Sequence, residues 1–161
     1  MAKKVAAKAR ARSEHDHRQC VSTAVAAAEQ ACASTGRRLT PLRRRVLELV
    51  WNGHTPVKAY DLLRDLGKEH AGAAPATVYR ALDFLLDAGL VHRIASQNTF
   101  IGCSGPGETH AGQFLLCTRC GNVLELDNPK LASMIKAQAG EVGFRVEQQM
   151  IEVTGLCNAC Q

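Results

Sequence analysis

The sequence predicts a mixed α/β (α+β) protein: a winged helix-turn-helix domain followed by a small α/β domain built around a structural zinc ion. Three observations carry this. Helical apolar periodicity runs through the first ninety residues and gives way there to a short hairpin pattern. A Ser-Gly-Pro-Gly run at 104–107 then marks a change of composition. Four of the seven cysteines fall in two Cys-x-x-Cys pairs, Cys117/Cys120 and Cys157/Cys160, both beyond that run.

The elements follow in order. Arg18 to Ser34 is alanine-rich and places Val21, Val25, Ala28 and Cys32 on one helical stripe, with Gly36 as its stop. Thr40-Pro41 reads as an N-cap followed by proline at the first helical position, and Leu42, Val46, Leu49 and Val50 continue at helical spacing toward Gly53. A third helix is predicted from Val57 to Leu66. A fourth spans 75–88, where Val78, Leu82, Leu85, Leu86 and Gly89 form an amphipathic stripe ending in a C′ glycine. Leu90–Ile94 and Thr99–Ile101 flank Ser96-Gln97-Asn98 as a hairpin, the wing. Past the linker, strands are expected at Gln113–Leu116 and Val123–Leu126, a helix from Asn128-Pro129 to Ala139, and an extended segment from Phe144 to Thr154. The domain reading is a basic tail over 1–17, a winged helix over 18–102, a linker over 103–109 and a metal-binding domain over 110–161.

Charge is unevenly spread. Residues 1–45 carry a net +8, residues 46–93 carry −1 and residues 94–161 carry −2, within an overall +5. A basic third on a mildly acidic remainder fits a polyanion partner placed to one side, although the first dozen residues read equally well as a solvated tail. No apolar run approaches the ~20 residues of a membrane span, and the N-terminus lacks a secretory core, so a cytoplasmic protein without a membrane partner is expected. An aromatic content of 4% argues against a large pocket for a small organic substrate.

Cysteines in a reducing compartment point to metal or redox chemistry rather than disulfides. A two-residue gap lets both sulfurs of a pair reach one ion from a tight turn, and Gly121 can supply a positive φ there. Two such turns offer Zn²⁺ four tetrahedral thiolates. Redox-active dithiols would need a thioredoxin-like βαβ context, which is missing. A second set, His92, Cys103, His110 and Glu125, forms no short regular motif. Two imidazoles, a thiolate and a carboxylate nevertheless suit zinc, and their two negative charges balance it. Taken singly, each of these residues reads as structural or solvated. Together they would join the wing to the C-terminal domain.

Leu39-Thr40-Pro41, Ala59-Tyr60-Asp61-Leu62-Leu63, Thr77-Val78-Tyr79-Arg80-Ala81-Leu82, Val91-His92, Cys103, Thr109-His110, Cys117-x-x-Cys120-Gly121 and Gly155-Leu156-Cys157-x-x-Cys160 resemble the ferric uptake regulator (Fur) family, most closely its zinc uptake regulator (Zur) branch. The resemblance runs from about residue 18 to the end. It implies a homodimeric, zinc-responsive transcriptional repressor, not an enzyme, that binds palindromic double-stranded operator DNA and controls zinc uptake genes. Two zinc ions per chain are implied, one structural and one regulatory. It places helix 75–88 in the major groove, with Arg80 reading bases, Tyr60 and Thr77 at the DNA, and Tyr79 on backbone or sugar; Arg43, Arg44 and Arg45 are expected to take phosphates. Iron, manganese and peroxide regulators of the family commonly carry His-His-Asp-His before the first cysteine pair. Here only His110 stands in that region, and Cys103 supplies a thiolate, both of which favour zinc. A regulator of the same fold answering to iron, manganese or peroxide is the alternative. A zinc-bound redox chaperone or a zinc hydrolase is the alternative of another class, although four protein ligands would leave hydrolytic zinc no open position.

Overall fold

The computed structural model describes residues 17–53, 55–107 and 111–161. Residues 1–16 of the basic tail, and His110, lie outside the described residues. The described chain forms two compact units, one within 12–108 and one within 109–161.

The first unit opens with α1 (His17–Ser34), which buries Val25, Ala28 and Cys32 along the predicted stripe. It ends in paired 6→1 and 5→2 hydrogen bonds, Arg37 N–H to the Cys32 carbonyl at 2.8 Å and Gly36 N–H to the Ala33 carbonyl at 3.2 Å, with Gly36 at φ 67°. In α2 (Pro41–Trp51) the Thr40 hydroxyl accepts from Arg43 N–H at 3.5 Å, and Val46, Leu47, Leu49 and Val50 are buried. α3 covers Ala59–Gly67 and α4 covers Pro75–Asp87. The start of α3 differs from expectation. Val57 exchanges two 2.8 Å hydrogen bonds with Phe100 and so belongs to the wing's edge rather than to the helix. α4 closes with the same motif as α1, Leu90 N–H to the Leu85 carbonyl at 2.8 Å around Gly89 at φ 65°.

The wing is β1 (Val91–Ile94) antiparallel to β2 (Thr99–Gly102), joined by a 3₁₀ turn over Ala95–Gln97 and by Asn98 in the left-handed region. One hydrophobic core joins α1–α4 to the wing through residues such as Leu47, Leu66, Leu82, Leu85 and Val91. Gly102 is tightly fitted, because a Cβ there would lie 2.1 Å from Trp51 Nε1. Gly102→Ala should therefore overpack the core beside Cys103 and lower stability by about 1–3 kcal/mol, read as a lower Tm.

The second unit is a three-stranded sheet in the order β4–β3–β5, formed by β3 (Gly112–Cys117), β4 (Val123–Leu126) and β5 (Met150–Gly155), with α5 (Pro129–Glu141) between β4 and β5 in sequence. β3 runs antiparallel to β4 and parallel to β5. The Asn128 side chain caps α5, accepting from Lys130 and Leu131 N–H. The extended segment expected from Phe144 becomes a strand only at Met150. β3 begins at Gly112, which pairs with Met150, so among the described residues the pairing of β5 starts there. Phe114 and Leu116 are buried on one face of the sheet, whereas Leu115 and its cross-strand partner Val153 are exposed. α5 buries no residue. No helix among the described residues is long and apolar enough to cross a membrane.

Candidate metal centre and nucleic-acid interface

The parallel pairing of β3 and β5 sets opposite each other Cys117 and Gly155, the last residues of the two strands. Both Cys-x-x-Cys turns therefore leave the sheet at the same end. The first closes with Gly121 N–H to the Cys117 carbonyl at 3.0 Å and Cys117 N–H to the Asn122 carbonyl at 2.9 Å, with Gly121 at φ 71°. The second closes with Cys160 N–H to the Cys157 carbonyl at 2.8 Å. Cross-links hold the turns together. Thr118 donates to the Gly155 carbonyl from both its N–H (2.9 Å) and its hydroxyl (3.2 Å), and Arg119 donates to the Cys160 carbonyl. Thr118 and Arg119 carried no signal in the sequence, since their role depends on strand register.

The four sulfurs lie within 4.8 Å of one another, and Cys120 Sγ is 3.7 Å from Cys157 Sγ. Tetrahedral ligands at Zn–S distances of about 2.3 Å stand about 3.8 Å apart, so the cluster fits a closed four-thiolate zinc site. All seven cysteines are unbridged. The charge state of the cluster is graded. Backbone N–H groups of Cys120 and then Cys157, the latter at 3.4 Å, hold the Cys117 thiol down at about 6. The neighbouring thiols, Cys157 first, together with desolvation, push Cys160 up to about 12. One sulfur is thus a ready anion and another resists ionising beside it, and a divalent cation held here would supply the charge that lets all four deprotonate.

In the first unit, His92 is half-buried on β1 and Cys103 is 1% exposed just past β2. Cys103 N–H donates to the Leu90 carbonyl at 3.0 Å, extending the hairpin ladder by one rung, and the Cys103 sulfur and a His92 ring nitrogen lie within 4.8 Å of each other. In the second unit, Glu125 is half-buried on β4 opposite Phe114.

Tyr79 and Arg80 project from α4 into solvent, and Tyr60 on α3 is 75% exposed; Thr77 is half-buried in the first turn of α4. Buried Val78, Ala81, Leu82 and Leu85 hold the opposite face of α4, so the exposed side is presented by a packed scaffold. Arg43, Arg44 and Arg45 are already engaged within the unit. Arg43 lies over the Phe84 ring, Arg44 pairs with Glu29 and Glu48, and Arg45 pairs with Glu48 and Glu69.

Comparison with known proteins adds three likenesses. The chain is 40% identical over 137 residues to the zinc uptake regulation protein of Escherichia coli (strain K12), covering 84% of this chain and 80% of that one. A zinc uptake regulator solved in complex with zinc and DNA superposes with a TM-score of 0.80 at 36% identity, over 91% of this chain and 95% of that chain. Holo XcZur superposes with a TM-score of 0.79 at 44% identity, over 85% and 96%. Residues 34–154 match the family model described as the ferric uptake regulator family. With a winged-helix unit, a four-thiol cluster and these likenesses, the chain belongs to the ferric uptake regulator family.

Proposed function

We propose that this protein is a zinc-responsive transcriptional repressor that binds palindromic operator DNA as a homodimer when its regulatory zinc is bound, and that it controls genes for zinc uptake. The observation that carries this reading is the pairing, in one chain, of a four-thiol cluster with an α4 that presents Tyr79 and Arg80 to solvent. Its likeness to a zinc uptake regulator solved with zinc and DNA supports the same reading.

Each chain binds two zinc ions in this reading. Cys117, Cys120, Cys157 and Cys160 hold the structural one. His92, Cys103, His110 and Glu125 hold the regulatory one, with a donor set of two imidazoles, a thiolate and a carboxylate. The juxtaposed His92 and Cys103 support that assignment. Dimerisation covers the apolar side chains left open on the second unit, among them Met134, Val142, Phe144 and Val153, which are 50–79% exposed. The dimer sets two copies of α4 about one DNA turn apart, so both half-sites are engaged together. Arg80 makes a bidentate contact to guanine, Tyr79 touches backbone or sugar, and Thr77 and Tyr60 flank them.

The test is fluorescence anisotropy with a duplex selected from a random pool by the zinc-loaded protein, under buffered zinc, iron(II) or manganese(II). Zinc alone should drive selective binding at low free concentration; an equal or better response to iron(II) or manganese(II) would favour the other regulators of this fold. Arg80→Ala should lower discrimination between the selected and a scrambled duplex by about 1–3 kcal/mol per half-site, with zinc content unchanged.

A further inference from the structure

Three consecutive arginines at the start of a helix are the simplest sequence signature of a phosphate-binding face. In the folded unit each one turns toward a different element. The Arg43 guanidinium stands 3.6 Å from the centre of the Phe84 ring on α4 and donates to the Arg38 carbonyl at 2.9 Å. Arg44 reaches Glu29 on α1 at 2.7 Å and Glu48 at 3.2 Å. Arg45 grips both carboxylate oxygens of Glu69, in the turn after α3, with Nε at 2.7 Å, and pairs with Glu48 at 3.0 Å. Glu48 thus ties Arg44 to Arg45. The fork from Arg45 holds the Glu69 carboxyl below the usual carboxylate range.

Two features separate this arrangement from a phosphate-binding face. Arg44 and Arg45 meet three glutamates, Glu29, Glu48 and Glu69, so their charge is already answered within the unit and offers DNA little counterion release, while Arg43 rests on the Phe84 ring. The residue under Arg43 is also well placed. Phe84 lies four residues after Arg80, on the same side of α4 one turn along. A guanidinium resting there bears on the side of α4 that carries Arg80, beside the buried face that packs the helix. Single exposed ion pairs stabilise little. Here their use is geometric: α2 is tied to α1, to the end of α3 and to α4 through adjacent residues.

We propose that Arg43, Arg44 and Arg45 form a positioning clamp that orients α4 for base readout and are not phosphate contacts; this rests on the DNA-binding reading above. The test uses the full-length, zinc-loaded protein with the selected and scrambled duplexes across a salt series. Arg44→Gln and Arg45→Gln should leave the slope of log affinity against log salt unchanged. A lost phosphate contact would reduce it by about 0.9, or about 1.8 in a homodimer. Arg43→Lys keeps the charge but loses the flat stacking surface. It should lower the selected-to-scrambled affinity ratio about tenfold, a large part of one base-reading contact, while non-specific affinity and slope stay as in the wild type.

A slope reduced by about 1.8 in the glutamine variants would make these residues phosphate contacts and overturn the proposal. A lower Tm with an unchanged affinity ratio would make the clamp merely structural and overturn it as well. If the zinc-loaded wild type selects no duplex at all, the repressor reading itself fails, and the positioning role falls with it.

Discussion

Replacing Cys117 with serine should unfold residues 111–161 and abolish dimerisation while leaving the four-helix unit folded. The second unit has little else to hold it. Its buried apolar side chains are Phe114, Leu116, Cys117 and Val123, and α5 buries none. A unit of this size rarely reaches stability on such a core without a metal or a partner. Structural four-ligand zinc contributes about 10–16 kcal/mol to folding in small metal-dependent domains, comparable to the whole stability of an ordinary domain. Serine cannot replace the thiolate as a ligand and leaves a hydroxyl in a buried position without its metal. Once the sheet frays, the apolar side chains that await a second copy lose their arrangement. The variant should sediment as a monomer, bind at least one zinc fewer per chain, and show one unit protected from hydrogen exchange instead of two. A dimer that retained full zinc content would remove the structural role from this cluster.

Much of this was legible in local sequence. Caps and glycine stops at Thr40, Gly36 and Gly89 act within a few residues, so α1, α2 and α4 could be bounded from the chain alone. The Cys-x-x-Cys pairs were legible for the same reason, since the turn geometry that aims two sulfurs is itself local. What the sequence concealed was set by partners distant along the chain. Val57 reads as a helix start but is held by Phe100. The length of β5 is fixed by β3, not by its own alternation. The arginine triplet reads as a solvated, DNA-facing charge run because Glu29, Glu69 and Phe84 become its neighbours only after the helices pack. Likewise the register of the wing, with Val91 opposite Gly102, is what brings Cys103 to His92.

Cys103→Ser should have the opposite character to Cys117→Ser: a folded dimer with its structural zinc, deaf to added zinc. The backbone around residue 103 is held by contacts other than the thiol. Its N–H is bonded to the Leu90 carbonyl, its neighbour Gly102 is packed against Trp51, and a serine hydroxyl is smaller than the sulfur it replaces. The chemistry does depend on it. Thiolate is the softest donor in the proposed set and supplies half of its negative charge, and it favours zinc over iron(II) or manganese(II). Removing even an outer partner of a metal ligand costs about 10–100-fold in affinity, so losing the ligand itself should exceed that range. Zinc and DNA binding are reciprocally linked, and a coupling of about 1–3 kcal/mol corresponds to an affinity change of about 5–150-fold. The anisotropy titration should therefore show the variant bound to its selected duplex only at the weak level of metal-depleted wild type, across the whole range of free zinc. A normal midpoint would move the sensing role away from Cys103. A variant that also lost its dimer would instead mean that this thiol shares the structural duty of the four-cysteine cluster.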